Sequence, residues 1–225
     1  MEEGLRSAEE SGSVLGGEAA RPFSYAYQGD RGGNWEGHSI LNRPKTDAEA
    51  AAVLKVDEAA LRDSLARSRQ LLLARRAERV APGRDDKVLA AWNGLMISAF
   101  AMAGRILDEP RYTEAAGRAA DFVLSTMRDE SGGLLHSFKD GRARFNAYLD
   151  DYVCLANGLV SLYEATFAPQ WLAAAVELAD IVLDKFADDD RGGFFFTAED
   201  HEELITRSKE FTDASTPSGN GMAAT

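Results

Sequence analysis

Three aspartates stand at a fixed distance from an asparagine: Asp86 lies seven residues before Asn93, Asp150 seven before Asn157 and Asp213 seven before Asn220. Each asparagine is followed by glycine and then by leucine or methionine, and two of the aspartates belong to doublets, Asp85-Asp86 and Asp150-Asp151. A carboxylate at the head of an apolar segment has two uses. It can accept the unpaired N–H groups of a helix's first turn and complement the helix dipole, or it can move protons at a substrate. One cap needs one carboxylate, so the doublets point past capping to acid/base or ligand-contact work for Asp86, Asp150 and Asp151. The histidines His38, His136 and His201 are scattered without metal-ligand spacing, so no metal site is expected. His136 is the one placed to act as an acid or base, with a purely structural role as the plainer reading. Trp35 and Trp92 each offer a flat apolar face to a ligand or fill space in a core, and burial tendencies favour the core for Trp92. Glu36 and Glu210 are loop acids that assist a hydroxyl or stay solvated.

The elements that hold these residues come from a repeat. The Asp-to-Asn-Gly element recurs at spacings of 64 and then 63 positions. After prolines, the segments from Pro110 and from Pro169 align at an offset of 59, with Tyr112 matching Trp171 and Val123 matching Val182. In the first, Tyr112, Ala116, Ala119 and Val123 form one stripe, the pattern of a one-sided outer helix. The Asn-Gly segments are apolar all round, the pattern of inner helices packed on both flanks. Double glycines follow acidic residues at Asp30, Asp129 and Asp189, and strand-like runs come after the last two. Asp140-Gly141 marks a hairpin turn, and the run from Phe194 to Arg207 reads as a second hairpin. The unit is inner helix, outer helix, β-hairpin.

From double glycine to the next repeated Asp takes 17 residues after Gly133 and 20 after Gly193, but 53 after Gly33. A structureless loop of that length is uncommon, so a helical insertion over 46–81 is expected. Thr46 and Glu49 form its capping box, Leu61, Leu65 and Leu72 share a face, and Pro82-Gly83 ends it. Residues 1–22 are acidic, lack the basic and apolar regions of a secretory signal, and read as a flexible tail. The domain is expected over 23–225.

Composition sets the partners. The 225 residues carry 37 acidic and 25 basic side chains, a net charge of −12, which repels nucleic-acid phosphates and anionic lipid and suits neutral ligands. The single cysteine, Cys154, excludes an internal disulfide and a Cys-x-x-Cys site and fits a reducing, cytoplasmic compartment. Val88 to Gly104 is free of charge, but its Asn93, Gly94 and Ser98 fit a buried helix better than a membrane span. The double glycines precede strands, not helices, so no nucleotide cofactor is expected.

The stretches GGNWEGHSILNRP, RDDKVLAAWNGLMISAFAMAGRIL, LDDYVCLANGLVSLYEATFAPQWLAAAVELAD and GGFFFTAEDHEELITRSKEFTDASTPSGNGMAA together resemble the thioredoxin-domain-containing family of spermatogenesis-associated protein 20. The resemblance runs from about Phe23 to the end. It implies a mainly α fold, a partial (α/α)6 toroid of the six-hairpin glycosidase-like kind with short β-hairpins at its mouth. Two complete hairpins and the start of a third are expected, which makes the chain a fragment without the family's thioredoxin-like domain, inactive alone and prone to self-association through its exposed helix flanks. The implied function is carbohydrate binding or processing of a glycosidase- or epimerase-like kind. The alternative is a noncatalytic helical scaffold for a protein partner such as a thioredoxin-like domain.

In such a toroid the N-terminal ends of the inner helices share one mouth. Trp35, Glu36, Trp92, Asn93, His136, Glu210 and Asp213 then make up the expected sugar-contact set beside the catalytic Asp86, Asp150 and Asp151. Neighbouring helices pack about 8–10 Å apart, which suits the wider carboxylate spacing of an inverting glycosidase.

Overall fold

Helices dominate both parts of the chain. The computed structural model describes residues 8–29, 32–36, 39–81, 83–201 and 206–225, and divides into one unit ending at Arg84 and another from Asp85 to Thr225. Thirteen acidic residues balance thirteen basic ones up to Arg84, so the whole net charge of −12 falls on the second unit.

The first unit holds helices α1 (Ala8–Ala26), α2 (Asp47–Leu54) and α3 (Glu58–Ala77). Where a loose tail is expected there is a helix, interrupted at Gly16 by its positive φ of 73°. Beyond that break Ala19, Phe23 and Ala26 recur at helical spacing and, with Leu15 before it, pack with Leu61, Leu65 and Leu72, and this shared apolar burial outweighs the acidic start of α1. The insertion is two helices, not one. The Thr46–Glu49 capping box opens α2, Lys55 in the left-handed region ends it, and the Asp57 side chain caps α3 by accepting from the Ala60 amide. α3 stops at Ala77, ahead of Gly83; Pro82 lies outside the described residues.

The second unit runs β1 (Val88–Leu89), α4 (Ala90–Leu107), α5 (Pro110–Thr126), β2 (Leu135–Lys139), β3 (Arg142–Asn146), α6 (Leu149–Thr166), α7 (Pro169–Lys185) and α8 (Gly219–Ala223). α4 packs beside α6 and α6 beside α8, while α5 and α7 return along the outside of α4 and α6. This is the alternation of inner and outer helices that the six-hairpin resemblance implies. The outer stripes are buried as Ala116, Ala120 and Val123 on α5 and as Trp171, Ala175, Leu178 and Val182 on α7.

The glycine of the Asn-Gly element has a packing reason. A Cβ added at Gly158 would lie 2.5 Å from the Gly94 carbonyl oxygen, and one added at Gly94 would lie 2.5 Å from the Cys154 carbonyl oxygen, so α4 and α6 touch backbone to backbone there. Farther along the seam, Ser98 and Ser161 share a hydrogen bond of 2.9 Å between their hydroxyls. α6 is buried on both flanks, as expected. α4 is not: Trp92, Met96, Met102 and Ile106 are exposed, and among the described residues of this unit α6 is the one inner helix packed beside it. α4 is also the one helix among the described residues long and apolar enough to cross a membrane, and it packs Ile97, Ala101 and Gly104 into the helical array.

β2 and β3 form the expected hairpin, with Asp140 and Gly141 both at positive φ in the turn. β1 adds to the other side of β2, pairing Val88 with Phe138 and Leu89 with Ser137. That pairing carries β2 to the head of α4. The second expected hairpin is absent from the described part of 194–207, where the Phe196 amide donates to the Ser208 carbonyl as an isolated contact.

Candidate functional site

The doublet Asp150-Asp151 lies in the first turn of α6 and faces two ways. Asp151 is 1% exposed. Its Oδ1 accepts from the Ala91 amide of α4 at 2.9 Å, and its Oδ2 accepts from the Tyr148 amide at 3.0 Å and from His136 Nδ1 at 2.8 Å. α4 begins after Leu89, which supplies no side-chain cap of its own, so a carboxylate from the neighbouring helix fills that place. Asp150 turns toward α8. Its Oδ1 lies so close to Gly219 that a Cβ there would collide with it, and the Gly219 amide favours its charged form. The doubling therefore serves both neighbours of α6: one carboxylate meets the start of the preceding inner helix and the other the start of the following one.

These two carboxylates shape a pocket of about 110 Å³ whose other walls include Trp92, His136, Tyr148, Cys154, Phe196, Thr216 and Pro217. Asp151 clamps Nδ1 of His136, so Nε2 is the nitrogen available to a ligand. The hydrogen bond to Asp151 holds the His136 pKa above its ordinary value, against the opposing effect of burial. Burial, and then the charges of Asp151 and Glu210, raise the pKa of Asp150. Burial pushes the Cys154 thiol to about 12, which makes it a wall of the pocket and not a nucleophile. Tyr148 stacks on Phe196 with ring centroids 4.8 Å apart and on His201 at 5.1 Å, and it meets His136 edge-on at 5.2 Å. This aromatic wall fixes the His136 ring from a second side.

The pocket unites four of the expected site residues, Trp92, His136, Asp150 and Asp151; Glu210 is not among its walls, but its charge acts on Asp150. Trp92 is 60% exposed and lines the pocket, which corrects its assignment to the core. Asp86 corrects the other way. It is exposed in the extended segment before β1 and neither caps α4 nor lines the pocket. The inner helices start at different points relative to their asparagines, so equal spacing in sequence does not make the three aspartates equivalent. Asp213 accepts from the Ser218 amide at 2.9 Å and so holds the N-cap residue of α8. Asn93 is spent within its own helix, donating to the Leu89 carbonyl at 2.8 Å. Trp35 and Glu36 belong to the first unit, exposed in a loop where the Asn34 side chain bonds both backbone groups of Ile40. His38 lies outside the described residues. Tyr148, Phe196 and Cys154 were not legible as site residues; only the position of Tyr148 just ahead of the Asp doublet hinted at it. Among the described residues, no group of three or more His, Cys, Asp or Glu is placed to hold a metal.

No family model matches the chain. It is 32% identical over 205 residues to spermatogenesis-associated protein 20 of Homo sapiens, and equally to that of Rattus norvegicus, a match that takes in 87% of this chain and 26% of each relative. The chain thus spans about a quarter of the length of the curated relatives it matches. Among solved structures, the cellobiose 2-epimerase of Spirochaeta thermophila is similar at 22% identity and a TM-score of 0.47, over 53% of this chain and 31% of that one. The GH76 α-mannanase of Bacteroides thetaiotaomicron is similar at 14% identity and a TM-score of 0.46, over 84% of this chain and 58% of that one. By sequence, the chain is a homologue of spermatogenesis-associated protein 20 over most of its own length.

Proposed function

We propose that the pocket at the head of α4 and α6 binds a sugar, and that His136 is the residue that exchanges a proton with it. The observation that carries this reading is the clamp on His136: Nδ1 is held by a buried carboxylate at 2.8 Å, and Nε2 is left to a pocket that also holds Trp92 and Asp150. An imidazole fixed in tautomer and orientation, with a pKa above its ordinary value, is a proton donor near neutral pH. Trp92 supplies the exposed flat face on which a ring's C–H groups stack, and the Asp150 carboxyl meets hydroxyls. The charge of the second unit, 24 acidic against 12 basic residues, favours a neutral ligand over a phosphorylated one. Asp151 is a positioning residue in this scheme, since its oxygens are taken by protein donors.

Isothermal titration with neutral monosaccharides and oligosaccharides tests the proposal. Saturable binding that is lost in Trp92→Ala and in His136→Ala is expected; equal affinities in the three proteins would remove the pocket from the account. One observation favours the alternative, a helical scaffold for a protein partner: an apolar groove of about 340 Å³ lined by Val153, Val160, Leu172, Val176 and Met222 along α6, α7 and α8. Partner binding that survives His136→Ala and fails on Val176→Lys would favour that reading over ours.

A further inference from the structure

The pocket at the head of α4 and α6 holds a negative charge that the protein itself leaves unanswered, and this points to the group that completes it, a step that rests on the sugar-binding reading above. Asp151 is fully used: its oxygens meet two backbone amides and His136, and with the ring protonated that pair carries no net charge. Asp150 has no such partner. Burial and the charges of Asp151 and Glu210 all act against its ionised form, and the one group that favours that form is the Gly219 amide, a dipole and not a cation. Lys87, whose charge is felt at His136, pairs instead with Asp85 at 3.2 Å.

A partly buried carboxylate without a counter-ion is costly, and the cost is relieved when a cation pairs with it. The other walls suit a cation. Tyr148 and Phe196 stack on each other at 4.8 Å and His201 stacks on Tyr148 at 5.1 Å, while Trp92, 60% exposed, keeps ring surface free for an occupant. Indole is the aromatic ring that attracts an ammonium group most strongly. The pocket's volume of about 110 Å³ lies below the about 300–1,000 Å³ of pockets that enclose a whole ligand, so what enters is a substituent.

We propose that the pocket takes an ammonium substituent of its ligand, with Asp150 as the counter-ion and Trp92 as the ring beside it, so that the favoured carbohydrate is an amino sugar in place of a neutral one. A simple alkylammonium ion offers the same chemistry without a sugar, and the test separates the two.

Isothermal titration of the full chain at about pH 7, below the range of an α-amino group, compares glucosamine, glucose, N-acetylglucosamine and methylammonium chloride at matched ionic strength. N-Acetylation keeps the ring and removes the charge. Glucosamine is expected to bind about tenfold or more tighter than glucose and N-acetylglucosamine, with methylammonium competing for its site. Asp150→Asn, which keeps the side chain's size and loses its charge, should close the gap, and Glu210→Gln should narrow it. Glucosamine no tighter than glucose, or a preference that survives Asp150→Asn, would overturn the proposal and leave the sugar reading in place. Methylammonium binding that needs Asp150, with every sugar silent, would uphold the ammonium site and remove the sugar. Silence from all four compounds would remove both.

Discussion

Replacing Asp151 by alanine removes acceptors from three donors at once, and the cost can be worked from the contacts. The Ala91 and Tyr148 amides at 2.9 and 3.0 Å are first-turn groups of α4 and of the start of α6, and losing a side-chain cap costs about 0.5–2 kcal/mol at each. The bond to His136 at 2.8 Å joins charged partners when the ring is protonated, the class worth about 1.5–3 kcal/mol. Because the carboxylate is 1% exposed, water does not replace it. The contributions sum to about 2.5–7 kcal/mol, which brackets the about 3–5 kcal/mol seen when one partner of a buried pair is removed. Asp151→Asn keeps one acceptor oxygen and should recover about 1 kcal/mol of that loss. The loss should also depend on pH. The folded-state pKa of His136 is raised, so its contribution is complete below the unfolded value of about 6.5 and is lost as pH rises through the higher folded value. The gap between wild type and Asp151→Ala, measured by urea unfolding, should therefore be wider at pH 6 than at pH 9, where the two amide caps remain. A gap under about 1 kcal/mol at pH 6, or the same gap at both pH values, would refute the assignment of Asp151 as the link between the helix seam and His136.

Gly94→Ala and Gly158→Ala should each destabilise by about 3 kcal/mol or more, because the new methyl meets backbone and not a flexible side chain. Gly117→Ala on α5, with nothing within 4 Å of the new methyl, should instead stabilise by about 1 kcal/mol; thermal melts of the three variants decide the matter. Asp150→Asn should stabilise the protein at neutral pH, since burial, Asp151 and Glu210 oppose the charge, and the gain should vanish below the ordinary carboxylate range. Melts at pH 3 and pH 7 read that difference. Cys154, with its thiol at about 12, should be inert to a disulfide reagent at pH 8 until the chain is unfolded.

The repeat was legible because it is written in packing residues. The stripes of α5 and α7 keep their spacing, Asp140-Gly141 permits one hairpin geometry, and the Asn-Gly glycines mark where two backbones meet. What the sequence hid depends on which neighbour a side chain reaches. Asp86 and Asp150 occupy the same place in the linear repeat, yet α6 begins at Leu149, one residue before Asp150, and α4 at Ala90, four residues after Asp86. The extended segment that pairs β1 with β2 displaces the helix start. The doublet looked like more than capping because a cap was counted within one helix; two adjacent helices account for both carboxylates. Burial tendencies favour the core for Trp92, yet it stands 60% exposed on α4. The α1 stripe of Ala19, Phe23 and Ala26 is present in the sequence, masked by the glycines and glutamates ahead of it.

The most direct test of the account is nitrogen-15 NMR of the His136 ring, titrated with pH in the free protein and again with saturating sugar. The account predicts a ring protonated at Nδ1 when neutral, a pKa above about 6.5 that falls in Asp151→Asn, and a sugar-dependent shift at Nε2. A ring that titrates alike in wild type and Asp151→Asn, with Nε2 unmoved by a sugar that binds, would contradict it.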